Sequence, residues 1–138
     1  MAVFSSSDEL MSILTKLWDK IKAHPDMSHQ ITETKLIVQF KYRDPDGLLT
    51  IDCSDGKDLK VMTGPTNLKP IIEMSMKADV AHEFWMGRVN VPVAVMTGKI
   101  ASKGPTPKAL ALLPAIKPAY KMYPEVLKEE GKEHLLAK

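Results

Sequence analysis

The chain has 138 residues, 44% of them hydrophobic and 26% charged, which is the size and composition of one globular domain and excludes wholesale disorder. Its formal net charge of +2 comes from 19 Lys and Arg spread along the chain beside 17 Asp and Glu, without the concentrated basic stripe of a nucleic-acid binder. Cys53 is the single cysteine, so an internal disulfide and a cysteine-based zinc site are both excluded.

No apolar run reaches the roughly 18 residues that a bilayer-spanning helix requires. The opening residues Met1 to Ser5 lack the basic start and apolar run of a secretory signal, and the closing Leu135-Leu136-Ala137-Lys138 is not a peroxisomal address. The expected compartment is therefore the cytoplasm.

Ser6 followed by Glu9 has the spacing of a capping box, and Leu10, Ile13, Leu14, Leu17 and Ile21 follow at helical intervals. This predicts an amphipathic helix over Ser7 to Ala23, ended at His24-Pro25 because proline disfavours the helical conformation in the residue before it. From Thr34 to Tyr42 the period changes to two, with Leu36, Val38, Phe40 and Tyr42 on one face. Asp44-Pro45-Asp46-Gly47 is turn chemistry. A second strand follows over Leu49 to Cys53, then a turn at Ser54 to Lys57 and a third short strand over Asp58 to Thr63. Two tight connections in succession indicate an antiparallel meander.

A fourth strand is expected over Pro70 to Lys77, with Ile72, Met74 and Met76 on one face. Asp79 can cap a short helix through Met86 that Gly87 ends, and Asn90 can cap a second with Pro92 in its first turn and Gly98 at its end. Lys99 to Lys103 fits a fifth strand, Thr106-Pro107 opens a helix through Leu113, and a last helix runs from about Pro124 to Glu130. No internal repeat or linker interrupts this order. The expectation is one domain over residues 1–138, with a proline-rich helical tail from about residue 106.

The chemistry-bearing motifs are weak. Asp44-x-Asp46-Gly47 lacks the third ligand and the later Glu of a calcium loop, and Gly98-Lys99 lacks the preceding Gly and following Ser or Thr of a phosphate loop. No two of His24, His29, His82 and His134 share the spacing that places paired metal ligands on one helix face. Cys53 reads as a small buried hydrophobe. A small enzyme would have to recruit His82, Glu83 or Glu73 as base. The nine methionines are more informative: Met74, Met76, Met86 and Met96 lie close together, and methionine suits apolar surfaces that must fit several shapes.

The stretch from Lys77 to Gly104, KADVAHEFWMGRVNVPVAVMTGKIASKG, resembles the sterol carrier protein type 2 domain. The matching parts are Asp79 near a short helix start, Phe84-Trp85 near its end, Gly87, the Asn90 to Thr97 segment, Gly98-Lys99 and Gly104. The resemblance implies an α+β fold, a five-stranded, mainly antiparallel sheet covered on one side by helices with an apolar tunnel between the layers. It implies non-catalytic binding and intracellular transfer of sterols, fatty acids or fatty acyl-CoA, without a cofactor or nucleic acid and with transient membrane contact or homo-oligomerisation compatible. The alternative is an accessory or substrate-presenting module that binds a partner enzyme. By position, the tunnel-lining candidates are Ile72, Met74 and Met76 on the fourth strand, Phe84, Trp85, Val91, Val95 and Met96 on the short helices, Ile100, and Leu110 and Leu113 in the tail. The tail from Pro107 to Pro124 departs from the family pattern and has the character of a lid, a partner surface or a dimer contact.

Overall fold

A computed structural model describes residues 3–138; Met1 and Ala2, which open the stretch read for a signal sequence, lie outside the described residues. Helix α1 spans Ser7–Ala23, and the Ser6 hydroxyl accepts the Glu9 N–H at 3.0 Å. The Glu9 carboxylate reaches back to the Ser5 N–H, one residue short of a full capping box. Leu10, Ile13, Leu14, Leu17, Trp18 and Ile21 are buried on one face.

His24-Pro25 ends α1 but does not lead into coil. Pro25 takes the first position of a second helix, α2 (Pro25–Thr32), where its missing N–H costs nothing, and the His24 imidazole caps it by accepting the Met27 N–H at 3.2 Å. The proline that stops one helix starts the next.

The sheet contains β1 (Ile37–Arg43), β2 (Gly47–Asp52), β3 (Lys60–Thr63), β4 (Ile72–Lys77) and β5 (Ala101–Lys103), in the order β3-β2-β1-β4-β5. Strands β1, β2 and β3 form the expected meander, and β4 pairs antiparallel with β5. The β1–β4 pairing is parallel, so the sheet is mixed. Residues directly opposed across strands share a face. Val38 lies between Ile51 and Ile72, and Phe40 between Leu49 and Met74, which gathers the apolar side chains of three strands onto the helix-covered face. On the opposite face Gln39 Nε2 donates to Thr50 Oγ1 at 3.2 Å, satisfying both buried groups across the β1–β2 pair.

The helical cover begins with α3 (Ala78–Trp85) and α4 (Val91–Met96). Asp79 does not cap α3. Lys77 holds the N-cap position, and Asp79 sits in the first turn, where its Oδ1 accepts the Val3 N–H at 2.8 Å and ties the start of the chain to the helix. Asn90 does cap α4, accepting the Val93 N–H at 3.2 Å. The tail contains α5 (Thr106–Leu110), α6 (Leu113–Ile116) and α7 (Ala119–Glu129), closed by a 3₁₀ turn at Glu133–Ala137.

Helix α7 starts five residues before the expected Pro124, which lies inside it. Proline at an interior position forfeits one backbone bond. Burial of Ala119, Tyr123, Val126 and Leu127 along one face of α7 offsets that loss, and this burial depends on α1 and α3 being in place. Three ion pairs, Lys16–Glu130, Lys20–Glu129 and Lys132–Glu9, run between α1 and the end of α7 at 2.8–3.2 Å. Being partly exposed, each contributes at most about 1 kcal/mol.

Candidate functional site: an apolar cavity between sheet and helices

Between the inner face of the sheet and the helical cover lies a cavity of about 70 Å³. Its floor is Leu36, Val38, Phe40 and Tyr42 from β1 and the residue leading into it, Ile51 and Cys53, and Met74 and Met76 from β4. Trp18 and Ile31 enter from α1 and α2. The roof is built by Ala81, Phe84 and Trp85 of α3, Val91 of α4, Ile100, and the tail residues Ala109, Leu110, Leu112, Leu113 and Ile116.

Aromatic rings frame one side. Trp85 meets Trp18 edge-to-face with centroids 5.8 Å apart and meets Phe84 at 4.8 Å, while Phe40 and Tyr42 lie parallel at 6.2 Å. All fall in the range where ring pairs attract.

The wall is almost free of charge and offers few polar atoms. Thr34 Oγ1 already donates to the Ile31 carbonyl at 2.6 Å. Burial raises the pKa of the Tyr42 phenol above its ordinary value and pushes the Cys53 thiol up to about 12, so both stay neutral. The Trp18 indole N–H is buried with no hydrogen-bond partner among the described residues. The wall is apolar, and the Tyr42 and Cys53 groups within it are held in their neutral forms.

Of the residues expected to line a tunnel, Met74, Met76, Phe84, Trp85, Val91, Ile100, Leu110 and Leu113 border this cavity. Ile72 is fully buried on the same face of β4 but lies outside the cavity wall. Val95 is half-buried against the core, and Met96 is 85% exposed. Met96 falls outside because α4 is only six residues long and turns Val91 and Ala94 inward, leaving Met96 on the opposite side. Sequence reasoning did not place in the site Trp18, Ile31, Thr34, Ala81, Ala109, Leu112 and Ile116, nor the inward face of the first two strands, Leu36, Val38, Phe40, Tyr42, Ile51 and Cys53. Trp18 lies four residues after Leu14 on the apolar face of α1, a signal present in the sequence; Ile31 belongs to α2, a segment left unassigned by the sequence pattern.

The residues considered as an enzyme's base do not converge. His82 is buried and bonded to Tyr123, Glu83 pairs with Arg88 at 3.2 Å on the surface, and Glu73 pairs with Lys41 at 3.3 Å. Among the described residues, no group of three or more His, Cys, Asp or Glu is arranged to hold a metal ion, and no helix is long and apolar enough to cross a membrane. A second, larger cleft of about 550 Å³ lies on the surface between α3 and α4, but it is open and bordered by Asp79, Glu83, Arg88 and Lys99. Its mixed charge and exposure make it a poor receptacle for hydrocarbon, so the smaller enclosed cavity is the functional candidate.

Comparison with known proteins agrees with this architecture. The chain aligns with sterol carrier protein 2 from Yarrowia lipolytica in its apo form at a TM-score of 0.62 and 19% identity, covering 83% of this chain and 91% of that one. It aligns with the sterol carrier protein domain 2 of Helicoverpa armigera at 0.58 and 23% identity, covering 77% and 89%. A palmitated sterol carrier protein 2-like protein, SCP2L2 of Aedes aegypti, aligns at 0.54 and 18% identity, covering 72% and 90%. No protein-family model and no curated protein matches the sequence. The protein has the sterol carrier protein type 2 fold: an α+β domain with a five-stranded sheet and helices.

Proposed function

We propose that the protein binds a lipid in the cavity without altering it and carries it through water. The observation that supports this most directly is an enclosed space walled by apolar side chains from every layer of the fold, with no catalytic constellation against it. Burying about ten methylenes would contribute roughly 8 kcal/mol before the costs of ordering.

The preferred ligand is a fatty acid or its acyl chain. At about 70 Å³ the space is far below the roughly 300 Å³ of the smallest typical ligand pockets, so a ligand must part the walls to enter. A slender alkyl chain demands less displacement than a rigid sterol, and the palmitated Aedes aegypti protein has the same fold. Met74 and Met76 have the torsional freedom to make room. The tail gives the movable wall: α5 and α6 are five and four residues long and meet the cavity through Ala109, Leu110, Leu112, Leu113 and Ile116. On this reading the whole chain acts as one lipid-binding domain, and the segment from Thr106 to Ile116 is its lid.

The test is native mass spectrometry of the freshly purified protein, followed by organic extraction and uptake of a fluorescent fatty acid. One alkyl-chain lipid per chain is the expected result. Ala81→Leu, which fills the cavity from α3, should lower uptake at least tenfold, while its overpacking costs about 1–3 kcal/mol. A protein that carries no lipid and takes up no probe overturns the carrier reading and favours an accessory module acting through a partner.

A further inference from the structure

The modest overall charge conceals a sharp segregation. Between Phe84 and Pro124 there is no Asp or Glu, so all 17 carboxylates lie in the rest of the chain, which is net acidic. The same segment carries Arg88, Lys99, Lys103, Lys108, Lys117 and Lys121, every one of them exposed. Arg88 is engaged by Glu83 and the Lys138 carbonyl. The five lysines make no ion pair among the described residues; Lys22, Lys35, Lys57, Lys69, Lys77, Lys128 and Lys138 are also unpaired, but they belong to the acid-containing remainder of the chain. Three carboxylates stand nearby: Glu73 is opposite Lys103 across the β4–β5 pair, on the sheet face away from the helices, and is bound to Lys41, while Glu83 and Asp79 share the surface cleft with Lys99, Glu83 bound to Arg88 and Asp79 accepting the Val3 N–H.

This cationic segment is the helical roof of the cavity. It also carries two of the three large apolar side chains exposed to water among the described residues, Val93 at 50% exposure and Met96 at 85%, one turn apart on α4 and a few residues before Lys99. We propose that the outer surface of this roof docks on an anionic phospholipid bilayer, with Met96 and Val93 entering the headgroup layer and Lys99 and Lys108 lying against lipid phosphates and carboxylates. Unpaired lysines beside an apolar ridge match an interface that is negative outside and hydrocarbon beneath. Nucleic acid is the poorer match, because the only guanidinium here is already committed and no exposed aromatic ring offers a stacking platform. Docking by the roof places the lid against the membrane that supplies or receives the ligand. For that purpose the inference rests on the carrier reading, but membrane binding and lipid uptake are measured separately and each can fail alone.

The test is co-sedimentation of the full chain with vesicles of phosphatidylcholine containing phosphatidylserine, against phosphatidylcholine alone. The expected result is binding to the anionic vesicles only, weakening as salt is raised. Lys99→Gln and Lys108→Gln should each reduce partitioning by about fivefold. Met96→Ser should reduce it several-fold, and Lys57→Gln, at an exposed site in the β2–β3 turn, should leave it unchanged. Fatty-acid uptake in solution should survive all three lysine changes. Equal binding to both vesicle types, an effect of Lys57→Gln as large as that of the roof lysines, or capture of a single-stranded oligonucleotide in place of vesicles overturns the proposal.

Discussion

The hydroxyl of Tyr123 lies 2.7 Å from Nδ1 of His82, joining α7 to α3 in the interior of the protein. Burial drives the tyrosine's pKa above its ordinary value, so its proton stays on oxygen and is free to donate. The imidazole proton then resides on Nε2, which faces the Leu135 main chain without a well-formed hydrogen bond. Phe4 packs edge-to-face on the same ring at 6.0 Å. The histidine is thus a junction between the cavity roof, the last helix and the start of the chain.

Tyr123→Phe should cost about 1–3 kcal/mol, because it strands Nδ1 in a dry site. Urea denaturation with far-UV detection measures this. A loss below a few tenths of a kcal/mol would show that the bond contributes nothing.

Stability should fall as the pH drops below about 6.5, the ordinary value of histidine, because desolvation holds the His82 pKa lower in the folded state. The unfolded chain takes up a proton that the buried ring refuses, so unfolding becomes easier by up to about 1.4 kcal/mol per pH unit until the folded pKa is reached. Glu9 adds its own loss below about 4.5: burial opposes its ionisation, but Lys132 and the Ser5 N–H hold its pKa down. Urea titrations from about pH 7 to about pH 5 should therefore slope for the parent chain and flatten for His82→Phe. An unchanged slope would assign the effect to another group.

Cys53 should resist alkylation in the folded protein. Its thiol is 1% exposed on the cavity wall with a pKa of about 12, so little reactive thiolate forms near neutral pH. Labelling with iodoacetamide should proceed only as fast as the structure opens, and a bound fatty acid should slow it further. Labelling in the native state at the rate of a free thiol would contradict the enclosed cavity.

Gly104 ends β5 with φ of +100°, and a Cβ there would collide with the Ile71 main-chain oxygen. Neither obstacle yields, because one is backbone conformation and the other is backbone position. Gly104→Ala should cost at least about 2 kcal/mol by thermal or urea unfolding, whereas Gly64→Ala, strained at +82° but with open space around it, should cost less. Equal losses would show that conformational strain alone is at work.

The strength of the local signals explains which parts of the fold were readable. The Ser6 cap, the heptad-like apolar face of α1, the alternation of β1 and the Asn90 cap of α4 each lie within a turn or two of chain and need no distant partner. The eight cavity-lining residues anticipated from sequence are placed by the resemblance to the sterol carrier family, with the alternation of β4 marking Met74 and Met76 as sharing one face.

Tertiary structure decided what periodicity leaves open. Pairing β1 with β4 in parallel depends on burying three strands' apolar faces together, a non-local gain invisible to a window of sequence. Helix α7 runs through Pro124, and α2 forms after a proline, because packing against α1 and α3 and a cap from His24 outweigh local propensity. Met96 belongs to the same greasy stretch as Val91, yet the short α4 turns one inward and the other out. Sequence alone indicated an α+β domain with apolar-faced elements in the order of the sterol carrier protein type 2 fold; the width of its cavity and which side chains meet across it were decided by how the layers close on one another.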